Sequence, residues 1–259
     1  MRLHRVCLSA LPALMGMALS VSAFAVQTPN GASSTPAAAL NLQTFATAPL
    51  KPTTGRMKCD RRDLIETNVV VERGVDGDTI MVQAESGSYS VRMLGIDTPE
   101  THYLGKSQGE WGEKAADRMK KILPPGTEVT LEFNSEGCDK YGRVLAYVFK
   151  DGKNINAQMA KEGWAVSYCV GPDTNYCEEI GDYVNKAIKA KKGMFSDPDL
   201  ELPYDWRRRV SNRGWESYVG NLRTKEVFSP GNNDKVPVGD RVFFMDRRDI
   251  HAPFALGRY

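Results

Sequence analysis

The sequence predicts a mainly β, α+β fold in which a small five-stranded barrel carries three packed helices and a short C-terminal appendage. Three observations support this prediction. Five short segments are rich in β-branched or alternating apolar residues, turn-forming residues separate the first three, and an amphipathic segment lies between the third and the fourth. This order of elements is typical of an OB-type barrel, and a mixed α+β sandwich is the alternative.

The five predicted strands include a meander, because tight turns join the first three. Asp76 and Gly77 give the first turn signal, since Asp-Gly favours a tight hairpin, and Ser86 and Gly87 give the second. The predicted strands cover residues 67–73, 79–84, 89–96, 128–133 and 144–149.

Three helices are predicted from apolar residues that recur on one face. The first places Trp111, Ala115 and Met119 on the same side and ends before the Pro-Pro-Gly sequence at 124–126. The predicted helices cover residues 108–122, 154–162 and 175–191.

The N-terminal part of the chain is predicted to lie outside the folded domain. Residues 1–25 have the arginines, apolar stretch and small-residue cleavage site of a secretory signal peptide, and an uncleaved membrane anchor is the alternative. Residues 26–58 contain no acidic residue and are rich in Ala, Thr, Pro and Ser, which is typical of a disordered linker. We therefore expect an exported protein, periplasmic or secreted, that is monomeric and free of membrane segments when mature. Its domain would span residues 59–203, followed by a basic extension at 204–259.

The cysteines support export. Four remain after the predicted cleavage, and an even number in an oxidising compartment favours two disulfides. Cys169 and Cys177 are close in sequence and bracket a Gly-Pro-Asp turn, so we pair them first. Cys59 with Cys138 then follows by elimination. A four-cysteine metal site is the alternative, although no spacing is of the C-x2-C kind.

Two aspartates stand at the ends of neighbouring predicted strands. Asp78 lies at the start of the second strand, and Asp97 follows the third. Two carboxylates held close repel each other unless a cation lies between them. Oxygen ligands from these aspartates and the Thr98 carbonyl suit one Ca²⁺ ion. Zinc is not expected, because the mature chain has only His102 and His251 as histidines.

Two arginines and a glutamate complete what phosphodiester hydrolysis requires. Glu100 would orient or deprotonate the attacking water, while Arg92 and Arg143 would hold the phosphate with paired guanidinium donors. Each feature alone has a structural alternative: DGD can be an ordinary hairpin turn, and Glu100 can be an acid at a helix N-terminus. Their joint occurrence at consecutive strand ends favours the catalytic interpretation.

The motifs that carry these residues are DGDT, R-x4-DTPE, DKYGR-x-LAY and a later DGK-x-(I/V)N…G-x-A segment. In their order and separations, about residues 67–196 resemble the thermonuclease (staphylococcal nuclease-like) family. The resemblance implies an OB-fold with one catalytic Ca²⁺ ion, which acts on DNA and RNA and leaves 3′-phosphates.

The resemblance also assigns a role to each matching position. The metal ligands and catalytic residues of the family fall on Asp78, Asp97 and Thr98, and on Arg92, Glu100 and Arg143. Its substrate-contacting lysine and tyrosine fall on Lys140 and Tyr141, and a further tyrosine beside the nucleotide falls on Tyr168. A catalytically silent module that binds nucleic acid or protein is the alternative function, but all six metal and catalytic positions are filled.

The charge of the chain is unevenly distributed. Residues 59–203 contain 18 Lys and Arg against 25 Asp and Glu, a net charge of −7, whereas residues 204–259 contain 11 against 7, a net charge of +4. Proteins that act on nucleic acids usually display a basic surface. Phosphate contacts must therefore come from a few placed arginines or from the basic extension. Its YDWRRR sequence at 204–209 favours a solvated helix end over a nucleic-acid contact.

Overall fold

The computed structural model describes residues 68–85 and 87–257 of the chain. The predicted signal peptide, the predicted linker, Cys59 and Ser86 lie outside these described residues.

Twelve strands form two six-stranded sheets within the described residues. The strands are β1 (Asn68–Gly74), β2 (Thr79–Ala84), β3 (Gly87–Met93), β4 (Gly95–Asp97), β5 (Glu128–Cys138), β6 (Val144–Lys150), β7 (Lys153–Asn154), β8 (Val166–Val170), β9 (Tyr218–Asn221), β10 (Glu226–Phe228), β11 (Arg241–Phe244) and β12 (Ala255–Leu256). The α-helices are α1 (Glu110–Ile122), α2 (Ile155–Lys161), α3 (Cys177–Lys189) and α4 (Pro203–Ser211).

Five strands close into the barrel. The first sheet runs in the order β3-β2-β1-β5-β6-β7, and β3 also pairs in parallel with β6. This last pairing joins the two sides of the sheet, so β1, β2, β3, β5 and β6 form a closed ring with no free edge. Alternate side chains such as Ile80, Val82 and Val91 fill its interior and are fully buried. The predicted OB-type barrel is confirmed.

A glycine divides the predicted third strand in two. The chain was expected to stay extended over residues 89–96, but β3 ends at Met93 and β4 begins at Gly95. Gly95 has a φ of 74°, a conformation that residues with a side chain rarely adopt. The chain therefore leaves the barrel here, and Asp97 pairs with Val166 in the second sheet. This turn puts Asp97 at the junction of the two sheets.

The C-terminal extension continues the second sheet. Its strand order is β12-β10-β9-β11-β8-β4, with β11 lying parallel to β8. The residues Val166, Tyr204, Val219 and Phe243 are buried in one shared core. The extension is thus bound to β8 by main-chain hydrogen bonds and to the earlier part of the chain by apolar packing.

The fourth helix, α4, was not among the three predicted. It begins at Pro203, a residue that suits the first turn of a helix, and ends at Ser211, followed by Asn212 in the left-handed conformation. Only Tyr204 and Trp206 supply large buried side chains on it, so its apolar periodicity is too short to be recognised.

Cys169 and Cys177 form a disulfide, as paired from the sequence. Cys138 is disulfide-bonded as well, but its expected partner, Cys59, lies outside the described residues, so that pairing stays a prediction. A metal site built from all four cysteines is excluded, since three of them are in disulfides. None of the helices in the described ranges is long and apolar enough to cross a membrane.

Candidate active site

One guanidinium group joins the two aspartates predicted to bind the metal. Arg92, in β3, forms an ion pair from Nη1 to Oδ2 of Asp78 at 2.8 Å and donates a hydrogen bond from Nη2 to Oδ1 of Asp97 at 3.0 Å. Asp78 is 5% exposed and Asp97 is completely buried. Because a single rigid group spans both carboxylates, the structure places Asp78 and Asp97 side by side, as the meander predicted.

The DGDT turn packs directly against Thr98. The main-chain N–H of Thr98 donates to Oδ2 of Asp78 at 2.9 Å. A Cβ atom on Gly77 would lie 2.7 Å from Thr98 Oγ1 and 2.9 Å from the Cβ of Ala115, so only glycine allows this approach. The glycine of the turn thus serves close packing around the site.

Glu100 lies beside the two aspartates but is held by a residue that the sequence did not suggest. Arg207, in α4, donates from Nη1 to Oε1 of Glu100 at 2.6 Å. The same guanidinium donates to both oxygens of Asp97, each at 2.7 Å. The only signal for it was the arginine run at 204–209, and the expectation of a solvated helix end is wrong for Arg207.

Arg143 is oriented by the loop that carries it. Asp139 accepts hydrogen bonds from the main-chain N–H groups of Tyr141 and Arg143, at 2.9 and 3.0 Å. Its other oxygen accepts from Nε of Arg143 at 2.7 Å. Since Asp139 engages Nε, the donors of the terminal nitrogens of Arg143 can serve another acceptor.

The predicted site residues share one open cavity of about 790 Å³. Seven of them line it: Asp78, Arg92, Glu100, Lys140, Tyr141, Arg143 and Tyr168. Asp97 and Thr98 are buried beside it. The extension contributes Arg207, Arg208 and Arg213 to the lining of this cavity. Although the predicted domain has a net negative charge, the cavity is therefore rich in cationic groups.

Two tyrosines have different environments in this cavity. Tyr141 is 57% exposed, with Lys140 Nζ lying 5.2 Å from its ring centre. Tyr168, in β8, packs on the ring of Tyr204 with 6.1 Å between the ring centres. Burial raises the pKa of Tyr168, so its hydroxyl stays protonated. Tyr141 is thus the more accessible of the two to a ligand.

Asp76, the first aspartate of DGDT, was assigned no role from the sequence. It lines the cavity, and its Oδ1 accepts from the main-chain N–H of Asp78 at 3.1 Å. Burial and the charge of Asp78 raise the pKa of Asp76 to about 8. Burial and Asp78 also raise the pKa of Glu100, against the opposing charge of Arg207. Asp76 and Glu100 thus hold protons more readily than exposed carboxyl groups.

The donor atoms of the predicted metal site are all oxygens. In the described part of the chain, no three His, Cys, Asp or Glu side chains are grouped to hold a metal ion. The predicted site needs only the Asp78 and Asp97 carboxylates with the Thr98 carbonyl. These hard, buried donors suit a hard divalent cation, with water completing its shell. The residues fit such an ion in their chemistry, with Arg207 as a competing cation.

Comparison with known proteins identifies the family. The sequence profile described as "Staphylococcal nuclease homologue" matches residues 90–197. Endonuclease YncB of Bacillus subtilis is 41% identical over 154 residues, covering 59% of this chain and 68% of the relative. The thermonuclease of Staphylococcus hyicus is 36% identical over 132 residues, covering 51% of this chain and 78% of the relative. The chain belongs to the staphylococcal nuclease family.

Membership in the staphylococcal nuclease family accounts for the barrel but not for the whole chain. Endonuclease YhcR of Bacillus subtilis is 34% identical over 194 residues, which cover 71% of this chain but only 16% of YhcR. The profile match ends before α4 begins. The helix that contributes Arg207 therefore lies beyond the matched nuclease region.

Proposed function

We propose that the chain is an exported, calcium-dependent nuclease that hydrolyses phosphodiester bonds of DNA and RNA and leaves 3′-phosphates. The observation that carries this proposal is the bridge from Arg92 to both Asp78 and Asp97, beside Glu100 in the shared cavity. The names of the relatives, two endonucleases and a thermonuclease, point in the same direction.

The side chains divide the chemistry between them. Asp78, Asp97 and the Thr98 carbonyl would hold the calcium ion, which when bound would polarise the phosphate and stabilise its developing charge. Arg92 would add a second positive charge at the same phosphate.

The remaining groups position the reactants. Glu100 would orient the attacking water and accept its proton, since it lines the cavity beside the two aspartates. Arg143, oriented through its Nε by Asp139, would bind phosphate oxygens with its terminal nitrogens. Lys140 and the exposed Tyr141 would contact the rest of the nucleotide.

Export and a monomeric state are part of the proposal. The signal-like sequence at residues 1–25 supports export, and so do the disulfide between Cys169 and Cys177 and the second one at Cys138. Structural disulfides form in oxidising compartments and are rare in the cytosol. The periplasm and the medium both satisfy this condition.

End analysis of the products tests the reaction. The purified protein without residues 1–25 is incubated, in the presence of Ca²⁺, with single-stranded DNA and with the matching RNA, each carrying a 5′ fluorophore that phosphatase does not remove. We expect both polymers to be cut. Phosphatase treatment should then change the electrophoretic mobility of the fragments, because it converts their 3′-phosphates into 3′-hydroxyls. Fragments that carry 3′-hydroxyls from the start would contradict the proposed products, and cleavage of one polymer alone would contradict the proposed substrate range.

A further inference from the structure

Arg207 occupies most of the hydrogen-bonding capacity of Asp97. Oδ1 of Asp97 accepts from Arg207 at 2.7 Å and from Arg92 at 3.0 Å, and Oδ2 accepts from Arg207 at 2.7 Å. A carboxylate oxygen offers about two lone pairs. Oδ1 is therefore filled, and one position remains on Oδ2. An ion that needs Asp97 as a ligand must compete with Arg207 for it.

Glu100 is engaged by the same guanidinium. Nη1 of Arg207 lies 2.6 Å from Oε1 of Glu100, so the arginine is bound to a proposed metal ligand and to the proposed general base together. The Arg207 side chain is 20% exposed, and the Asp97 side chain has no exposed surface. In such a dry setting the charge on Arg207 is poorly screened and opposes a second cation.

The fold holds Arg207 at this position through α4. The hydroxyl of Tyr204, one turn earlier, accepts a hydrogen bond from Nη1 of the buried Arg241 at 2.6 Å, and Nε of Arg241 donates to the carbonyl of Val236. Arg241 begins β11, which pairs with β8, the strand that also pairs with the Asp97 strand β4. The extension thus fixes the helix that presents Arg207 to the site.

We propose that Arg207 is a built-in counter-ion of the calcium site, which a divalent ion must displace from Asp97 and Glu100. This inference rests on the proposed function, since it takes Asp97 as a metal ligand. Arg207 lines the same cavity as Arg92 and Arg143. The guanidinium released by the ion can turn to a phosphate oxygen of the substrate there, since arginine binds phosphate and carboxylate with the same paired donors. Ion and nucleic acid then bind more tightly together than either does alone.

Calorimetric titration of the metal-free protein with Ca²⁺, without any substrate, tests the competition. Arg207→Gln removes the charge and the paired donors, and we expect it to bind Ca²⁺ at least about tenfold more tightly than the wild type. Arg207→Lys keeps the charge but loses the paired guanidinium donors. Its Ca²⁺ affinity should therefore lie between those of the wild type and Arg207→Gln. Arg209→Gln is the matched control, because Arg209 lies on the same helix and pairs only with Glu201 among the described residues; its affinity should equal that of the wild type.

A merely structural role of Arg207 gives the opposite result. If Arg207 only kept the Asp97 and Glu100 side chains in the positions that bind the ion, Arg207→Gln would bind Ca²⁺ more weakly. Unchanged or weaker binding by Arg207→Gln, or no measurable binding, overturns the proposal. Thermal unfolding of both Arg207 variants shows whether they are folded, and the Lys variant decides the question if the Gln variant is not.

The outcome is separable from that of the nuclease assay. Calcium affinity is read without cleavage, so tighter binding by Arg207→Gln supports the counter-ion even in a protein that cuts nothing. Conversely, a protein that cuts DNA with Ca²⁺ but shows no gain on substitution retains the proposed function and loses this inference. A nucleoside 3′,5′-bisphosphate has no diester to cut. Its presence should raise the Ca²⁺ affinity of the wild-type protein severalfold in the same titration. The same addition should change Arg207→Gln much less.

Discussion

Arg207 donates two hydrogen bonds to the carboxylate of Asp97, a residue that precedes it by 110 positions. The contact joins the strand that leaves the barrel to the first helix after the matched nuclease region. The extension is therefore part of the candidate active site as well as of the second sheet.

Glu100 and Arg143 should be needed for cleavage and dispensable for folding. Glu100→Gln removes the proton acceptor, and Arg143→Ala removes a guanidinium that donates hydrogen bonds to the phosphate. Each should therefore lower kcat at least about 100-fold. The measurement is the rate of single-stranded DNA cleavage at saturating Ca²⁺, with circular dichroism to confirm the fold. Glu110→Gln and Arg248→Ala, at exposed surface pairs, are the matched controls. Normal rates in both Glu100→Gln and Arg143→Ala would show that the roles are wrongly assigned.

Arg213 should contribute to nucleic-acid affinity from the extension side of the cavity. It is exposed and lines the cavity. Arg213→Ala should weaken binding of single-stranded DNA and reduce the slope of log affinity against log salt by about 0.7, the value for one phosphate contact. Fluorescence anisotropy in chelator, which prevents cutting, gives both quantities. Arg248→Ala controls for the loss of an exposed arginine elsewhere. An identical slope for the two variants would show that the bound DNA does not contact Arg213.

The contact of α3 with the extension should tolerate no side chain at Gly181. A Cβ atom there would lie 2.1 Å from the main-chain oxygen of Gly239. Gly181→Ala should therefore lower the free energy of unfolding by about 1–3 kcal/mol. Gly214→Ala is the control, since a Cβ at Gly214 meets nothing within 4 Å, and it should change stability by less than about 0.5 kcal/mol. Urea unfolding measures both; equal midpoints would mean that the extension does not dock tightly on α3.

The salt bridge between α1 and the end of α2 should make stability depend on pH. Hydrogen bonds from Arg118 lower the pKa of Glu162 below its ordinary value of 4.5. A lowered pKa in the folded state means that the ionised form adds stability above pH 4.5, and that this contribution disappears as the pH falls.

Glu162→Gln should therefore cost about 1 kcal/mol at pH 7 and clearly less at pH 3. Denaturation midpoints at the two pH values measure the difference. Glu110→Gln, which breaks only the exposed pair with Lys114, should have little effect at either pH. A constant cost for Glu162→Gln across this range would show that the pair does not carry the effect.

The barrel and most of the site could be predicted because their signals are local. Period-two alternation gave the strands of the barrel, and the acids and arginines stand at strand ends that a meander brings together. Asp78 and Arg92 illustrate this, since the β2–β3 hairpin pairs Thr79, the residue after Asp78, with Arg92, which reaches both Asp78 and Asp97.

The contribution of the extension could not be predicted, because it depends on contacts distant in sequence. The pairing of β11 with β8 joins Val242 to Cys169 and leaves no local pattern. Likewise, Arg207 looks like its neighbours Arg208 and Arg209 in the sequence. Only the docking of α4, which follows from that sheet, makes Arg207 the residue that turns inwards.

The most direct test of the central claim is cleavage of single-stranded DNA by the purified protein under three conditions. These are added Ca²⁺, a chelator that removes it, and Ca²⁺ restored in excess over the chelator. The proposed function predicts cutting in the first and third conditions only, and none by Asp97→Asn in any. Cutting that continues in chelator would contradict the role of the ion. The absence of cutting with Ca²⁺ or with any other divalent metal would contradict the enzyme itself and favour a silent binding module.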